Sequence, residues 1–185
     1  MTATKKDPNS LPRLIVVLFL ICAVTALLLG LVNYITADRI AEIKAEKTAA
    51  ALSEVLSADE YITEEYTGDN SSVTEVYSAV TGGEQVGYVV ECIVSGSQGN
   101  IDMVVGVDTD GAVTGVSIVD MSETSGLGSK ASGEEWRAQF IGVTEPQSVS
   151  KDGGEIDALT GATITSRAVT NGVNIALEVV GGYNS

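Results

Sequence analysis

The chain has 185 residues, a formal net charge of −15, 20 glycines, 5% aromatic residues and no histidine. That length holds one domain with appendages, and the acidic balance excludes nucleic acid, whose phosphates call for a basic footprint. Without histidine there is no axial imidazole for haem, no His-containing zinc site and no Ser-His-Asp triad, and Cys22 and Cys92 form neither a CxxC pair nor an iron–sulfur ligand set.

In chain order, the first element is a tail, residues 1–13, with Lys5, Lys6 and Arg13 against a single acid, Asp7. The stretch Leu14–Val32, LIVVLFLICAVTALLLGLV, carries no charge. At ~1.5 Å rise per residue it is about 28 Å long, close to the ~30 Å hydrocarbon core of a bilayer. A secretory signal peptide is the competing reading, with Ile35-Thr36-Ala37 before Asp38 as a weak cleavage site. Signal cores run to only ~7–15 apolar residues, so residues 14–37 are predicted to be an uncleaved anchor in the lipid bilayer. Ile21 before Cys22 is not the small residue that a lipoprotein site wants. Cys92 reads as a small buried hydrophobe. The basic tail places the N-terminus in the cytoplasm and the rest outside, as a single-pass cell-membrane protein, although Arg39, Lys44 and Lys47 weaken the asymmetry.

Asp38–Ser57 reads as helix, with Ile40, Ile43, Leu52, Val55 and Leu56 at helical spacing and neither Pro nor Gly. It is taken as a stalk, residues 38–59, whose apolar stripe packs on the domain or on a partner. The extracytoplasmic domain is assigned to residues 60–185. Strands are predicted over Thr74–Val80, Gln85–Val94, Ile101–Val107 and Ala112–Val119, with turns at Thr81–Glu84 and Asp108-Thr109-Asp110-Gly111. Ser132 is predicted to cap a helix running through Trp136 to about Phe140, with Glu134 and Glu135 in its first turn. A last helix is predicted from about Thr165 to Val180, stopped by Gly181-Gly182. Strands followed by helices, without βαβ alternation, define an α+β class.

The chemistry is concentrated late in the chain. Between Lys47 and Lys130 there is no Lys or Arg, and the domain's basic residues are Lys130, Arg137, Lys151 and Arg167. Lys130 closes the small-residue stretch ETSGLGSK, Glu123–Lys130, and Arg167 follows TGAT, Thr160–Thr163. Positive charge beside two small-residue loops points to an anion site, and the N–H groups at the start of the last helix favour a phosphate. Thr163, Thr165 and Ser166 are further donors there, unless Thr165 or Ser166 merely caps the helix. A threonine nucleophile needs an adjacent base, and Asp157 is a poor base for an alcohol. If Thr163 reacts, another enzyme supplies the catalysis.

DALTGAT, Asp157–Thr163, resembles the flavinylation motif D-x-x-[ST]-G-A-T of the FMN-binding domain family. SETSGLGSK, Ser122–Lys130, resembles that family's E-T-P-G-L-G-x-K segment, and Gly106–Thr124 its preceding strand pair. The resemblance implies an antiparallel sheet with flanking helices and FMN attached covalently to Thr163 through a phosphoester, made from FAD by a magnesium-dependent flavin transferase. Thr160, Gly161 and Ala162 would then shape the approach and Asp157 open the motif. Thr124 and Leu127 would lie near the isoalloxazine ring, with Glu123, Gly128 and Lys130 in the same segment. Thr165 and Arg167 would serve the phosphate, Arg167 offsetting its charge. With one anchor, the chain is similar to the anchored flavin subunits of Rnf-type complexes, which relay electrons between ferredoxin and NAD and whose partners are other membrane subunits. Relatives of that kind also occur in the sodium-translocating NADH:quinone reductase. Ser125 stands where the family has Pro, Gly96–Asn100 differs from the usual turn, and Met121 replaces a frequent histidine. A standalone membrane-tethered flavoprotein reductase and a non-catalytic anion-binding module are the competing readings.

Overall fold

The computed structural model describes residues 11–183 and divides into two compact units, Met1–Lys44 and Ala45–Ser185. Residues 1–10 of the predicted basic tail, with Lys5 and Lys6, and the last two residues lie outside the described residues, and α1 takes in the tail's remaining residues from Leu11. In the first unit, helix α1 (Leu11–Val55) begins, and its apolar side chains from Leu14 to Val32 are solvent-exposed. It is long and apolar enough to cross a membrane.

The second unit is built on a five-stranded antiparallel sheet in the order β1-β2-β3-β4-β5. Its strands are β1 (Glu60–Glu64), β2 (Val73–Thr81), β3 (Glu84–Ser95), β4 (Asn100–Asp108) and β5 (Val113–Met121). Every strand neighbours the one before it, so the sheet is a meander, with a longer loop between β1 and β2 and short turns between the others. The predicted turn after β4 forms as read: Asp108 Oδ1 accepts from the N–H groups of Asp110 and Ala112, at 3.0 and 2.9 Å.

Both faces of the sheet are covered within this unit. On one face lies α3 (Thr163–Tyr183), whose Val169, Val173, Ala176 and Val180 join Val90, Cys92, Met103 and Val105 in the larger core. On the other face the last turns of α1 bury Ala51, Leu52 and Val55 against Val89, Val104 and Val119. The predicted stalk stripe therefore divides: Leu52 and Val55 are core, whereas Ile40 and Ile43 are exposed. Two glycines paired across strands, Gly106 and Gly115, make the α1 contact possible. A Cβ on Gly106 would lie 2.7 Å from the Val55 carbonyl oxygen, and one on Gly115 2.9 Å from Val55 Cα. Thr114 Oγ1 donates to that same carbonyl at 2.6 Å, and Arg137 pairs with Glu54 at 3.1 Å.

Three elements differ from the sequence reading. Strand β1 has no counterpart among the predicted strands; it is five residues long with a glutamate at each end. Tyr61 anchors it by donating to the Leu56 carbonyl at 2.6 Å. Ser132 does not cap a helix: it ends a 3-10 turn (Gly128–Ser132), and its hydroxyl donates to the Ser129 carbonyl. The helix α2 that follows is a single turn, Glu134–Arg137, continued by a 3-10 turn through Phe140. Finally, α3 starts at Thr163 and passes through Gly181-Gly182 to Tyr183. Tyr183 stacks on Tyr88 with centroids 5.1 Å apart and donates to the Glu65 carbonyl. Those tertiary contacts outweigh the ~1 kcal/mol per glycine that favours stopping.

Candidate functional site

The sequence places Thr163 after a small-residue turn, and the structure shows how that turn is made. Ala162 N–H closes onto the Leu159 carbonyl at 3.0 Å. Gly161, third in that turn, has φ +79°, the left-handed backbone that a glycine adopts without cost. Ala162 is buried, Thr160 and Gly161 are exposed, and Thr163 is the first residue of α3. The N–H groups of that first turn have no intrahelical acceptor, so Thr163 carries its hydroxyl at the positive end of a long helix.

The approach to the turn is clamped from α2 and the 3-10 turn that continues it. Trp136 Nε1 donates to the Asp157 carbonyl at 2.7 Å, and Asp157 N–H donates to Gln139 Oε1 at 2.7 Å. Asp157 thus enters through its backbone, while its residue is exposed. Ser166, buried in α3, accepts from Leu159 N–H at 2.9 Å and donates to the Ala162 carbonyl at 3.0 Å. It fixes the turn rather than offering a free donor.

The two motifs meet. Glu123 Oε2 accepts from the Thr165 hydroxyl at 2.9 Å, and Glu123 Oε1 accepts from the N–H groups of Ser97 and Gln98 at 2.6 and 3.2 Å. One carboxylate therefore ties the β3–β4 turn and the loop after β5 to the first turn of α3. Gly128 is buried against this junction: a Cβ there would lie 2.5 Å from Glu123 Oε2 and 2.8 Å from Thr165 Oγ1. In the loop itself, the Thr124 carbonyl accepts from Leu127 and Ser129 N–H. Leu127 reaches the other motif, since a Cβ on Gly161 would meet its Cδ2 at 3.2 Å. Leu127 remains 42% exposed and Ile164, next to Thr163, 56% exposed, which leaves apolar surface near the hydroxyl. Lys130 is exposed at the end of the loop.

The charges fall differently from what proximity in sequence implied. Arg167 donates to both carboxylate oxygens of Asp152, at 2.7 and 2.6 Å. This hydrogen-bonded pair holds the Asp152 carboxyl below its ordinary value and raises the guanidinium. The cation at Thr163 is Lys151, whose Nζ donates to Thr163 Oγ1 at 2.8 Å. Lys151 is visible among the domain's few basic residues but lies too far from either motif in sequence to be assigned. Trp136, Gln139 and Ser166 act here through contacts that exist only once the chain has folded.

These residues fit a phosphoryl flavin. Gly161 and Ala162 clear the backbone, the α3 terminus and Lys151 suit an anion, and Leu127 and Ile164 offer apolar surface to a ring. Two family models match the chain: the FMN-binding domain over residues 96–178 and the RnfG N-terminal region over residues 10–55. The G subunit of the Na(+)-translocating ferredoxin:NAD(+) oxidoreductase complex of Acetobacterium woodii is 39% identical, over 90% of each chain. The G subunit of the ion-translocating oxidoreductase complex of Methanosarcina acetivorans is 35% identical, over 94% of this chain and 96% of its own. That of the proton-translocating ferredoxin:NAD(+) oxidoreductase complex of Clostridium ljungdahlii is 33% identical over 96% of each. Among solved structures, the C subunit of the Na(+)-translocating NADH-quinone reductase of Parabacteroides distasonis superposes with a TM-score of 0.52 and 21% identity, over 75% of this chain and 81% of that one. NqrC of Shewanella oneidensis gives 0.50 and 20%, over 66% of each. At those identities the likeness concerns the fold.

A five-stranded meander covered by helices, with a small-residue turn delivering a threonine to the start of α3, defines an FMN-binding domain, here preceded in sequence by an apolar helix. Carrying both the domain and the N-terminal region, and at least 33% identical to three G subunits over nearly their whole length, the chain belongs to the G-subunit family of ion-translocating oxidoreductase complexes.

Proposed function

We propose that this chain is the membrane-anchored flavoprotein subunit of an ion-translocating ferredoxin:NAD oxidoreductase, with FMN bound covalently to Thr163 through a phosphoester. It acts as an electron relay and has no catalytic activity of its own. The observation that carries the reading is the position of Thr163, first in α3, after a turn cleared by Gly161 and Ala162, with a cation on its hydroxyl. FMN, when bound, supplies one- and two-electron redox chemistry.

The chain's own residues bind and orient it. The α3 terminus and the Lys151 ammonium offset the phosphate charge. Leu127 and Ile164 give the ring an apolar seat, and the Glu123 bridge keeps the Leu127 loop against α3. The apolar helix anchors the chain in the bilayer, with the basic tail inside and the domain outside. A tether there prevents loss of a cofactor that no cytoplasmic pool replaces. The other subunits of the complex are its partners, and a flavin transferase acting on FAD matures it.

The test is in-gel flavin fluorescence of denatured protein after exposure to an active flavin transferase. A fluorescent wild-type band and a dark Thr163→Ala band are expected. A dark wild-type band, beside a fluorescent control acceptor, overturns covalent attachment and leaves a module that binds its anion reversibly.

A further inference from the structure

We propose that Lys151 is this chain's own contribution to flavin attachment: its ammonium presents the Thr163 hydroxyl to the incoming phosphorus and then holds the phosphodiester that forms. The inference rests on Thr163 being the attachment point.

The contact itself sets the direction of the hydroxyl. An ammonium has donors only, so in the 2.8 Å bond from Lys151 Nζ the threonine oxygen is the acceptor. The threonine proton is therefore not engaged by Lys151, and a base on the transferase can take it.

The ammonium is delivered by a fixed backbone. Lys151 sits in the 3-10 turn Ser150–Asp152. Ser150 N–H donates to the Ile156 carbonyl at 2.7 Å, and Asp152 N–H to the Val149 carbonyl at 2.8 Å. Its neighbour Asp152 grips Arg167. Residues 163 and 167 are i and i+4 on α3, so they share a face, and consecutive residues of the turn engage both. The Asp152–Arg167 pair thereby occupies the guanidinium, while the adjacent position puts its charge on Thr163. In a chain of net charge −15, a doubly anionic dinucleotide meets repulsion nearly everywhere, and a cation fixed on the acceptor oxygen counters it locally.

The attachment step balances without redox change. A bond forms between Thr163 Oγ1 and the flavin-side phosphorus of FAD. The bond from that phosphorus to the pyrophosphate bridging oxygen breaks, and AMP leaves with that oxygen. The threonine proton passes to the transferase. Lys151 has further N–H donors for the non-bridging oxygens, where charge builds during the transfer. One negative charge remains on the product phosphodiester, and Lys151 pairs with it as a charge-assisted hydrogen bond.

The experiment uses the full chain in detergent with purified flavin transferase, magnesium and FAD, following covalent flavin against time in denaturing gels. Wild type, Thr163→Ala, Lys151→Met and Lys151→Arg are compared, each with a thermal melt. Lys151 is exposed, so the melts are expected to coincide. Lys151→Met is expected to load about tenfold more slowly or worse, a barrier increase of ~1.4 kcal/mol, and Lys151→Arg to recover most of the rate. After exhaustive loading, the phosphodiester 31P resonance of Lys151→Met is expected to differ from wild type, a change that a merely structural lysine would not produce. A Lys151→Met rate within about twofold of wild type, or Lys151→Arg as slow as Lys151→Met, overturns the proposal and leaves attachment at Thr163 standing. Failure of wild type itself to load, beside a working control acceptor, removes the attachment reading and this inference with it.

Discussion

Glu123 lies in a motif that the family resemblance ties to the flavin, yet its carboxylate is spent inside the protein. The perturbation that exposes this is Glu123→Ala. It removes the acceptor of Ser97 and Gln98 N–H and of the Thr165 hydroxyl. Hydrogen bonds to a charged group contribute ~1.5–3 kcal/mol each. Ser97 and Gln98 are at an exposed turn, so water recovers much of that loss. Thr165 is fully buried, and a buried hydroxyl left without an acceptor costs ~1–3 kcal/mol. The sum is about 3 kcal/mol, which at roughly 3 °C per kcal/mol for a domain of this size lowers Tm by about 10 °C. Glu123→Gln keeps one carbonyl oxygen for the turn and can donate to the Thr165 oxygen instead, so its loss is smaller, ~1 kcal/mol. Trp136, the chain's single tryptophan, reports the transition, because its indole N–H holds Asp157 at the head of the Asp157–Thr163 segment. Urea and thermal unfolding in detergent, read by Trp136 fluorescence, give both values. A Glu123→Ala protein within ~0.5 kcal/mol of wild type would show that the carboxylate does not hold the two motifs together, and the positioning argument for the Leu127 loop would fall.

Two further outcomes follow from the same geometry. Gly161→Ala forces a side chain onto φ +79° and brings a Cβ within 3.2 Å of Leu127 Cδ2; a loss of ~1 kcal/mol is expected in the unfolding midpoint, with slower flavin loading in the gel assay. Cys92 has its thiol pushed up to about 12, first by burial and then by the nearby Asp102 and Glu91 carboxylates, from an ordinary value of 9.0. Because the folded-state value is raised, the unfolded chain loses its proton first. Stability from this group is complete below pH ~9 and falls as pH rises toward ~12, by up to ~1.4 kcal/mol per unit. Tyr61, Tyr77 and Tyr183 are raised as well and add the same trend from higher pH, so urea midpoints of wild type and Cys92→Ala between about pH 8 and pH 11 isolate the thiol. A difference between the two proteins that does not change with pH refutes it.

The parts of this molecule that are legible in sequence are those encoded locally. The strand–turn–strand runs announce themselves because Asp108-Thr109-Asp110-Gly111 and Thr81-Gly82-Gly83-Glu84 carry their own turn chemistry. Strand β1 does not, since Glu60 and Glu64 give it no alternation and its pairing with β2 is decided by Tyr61 and the sheet edge. Ser132 has the composition of a cap, but the preceding 3-10 turn consumes it. The Gly181-Gly182 stop is overridden by Tyr183, through a contact with a strand nearly a hundred residues earlier in the chain.

The candidate site divides along the same line. Both small-residue motifs can be read, because glycine at the turn and threonine at a helix start are local requirements. Their junction cannot: Glu123 to Thr165 and Leu127 to Gly161 are contacts made by the sheet, which brings the end of β5 beside the start of α3. Charge is the subtler case. Arg167 follows Thr163 at helical spacing, so sequence proximity assigns it to the phosphate. The deciding residues are on the turn opposite, where Lys151 precedes Asp152 and each faces one of the two α3 positions. An aspartate that captures the guanidinium leaves its own neighbour, Lys151, as the cation on the threonine hydroxyl. The order Lys-Asp on that turn, rather than the nearness of an arginine to the motif, determines which cation meets the threonine.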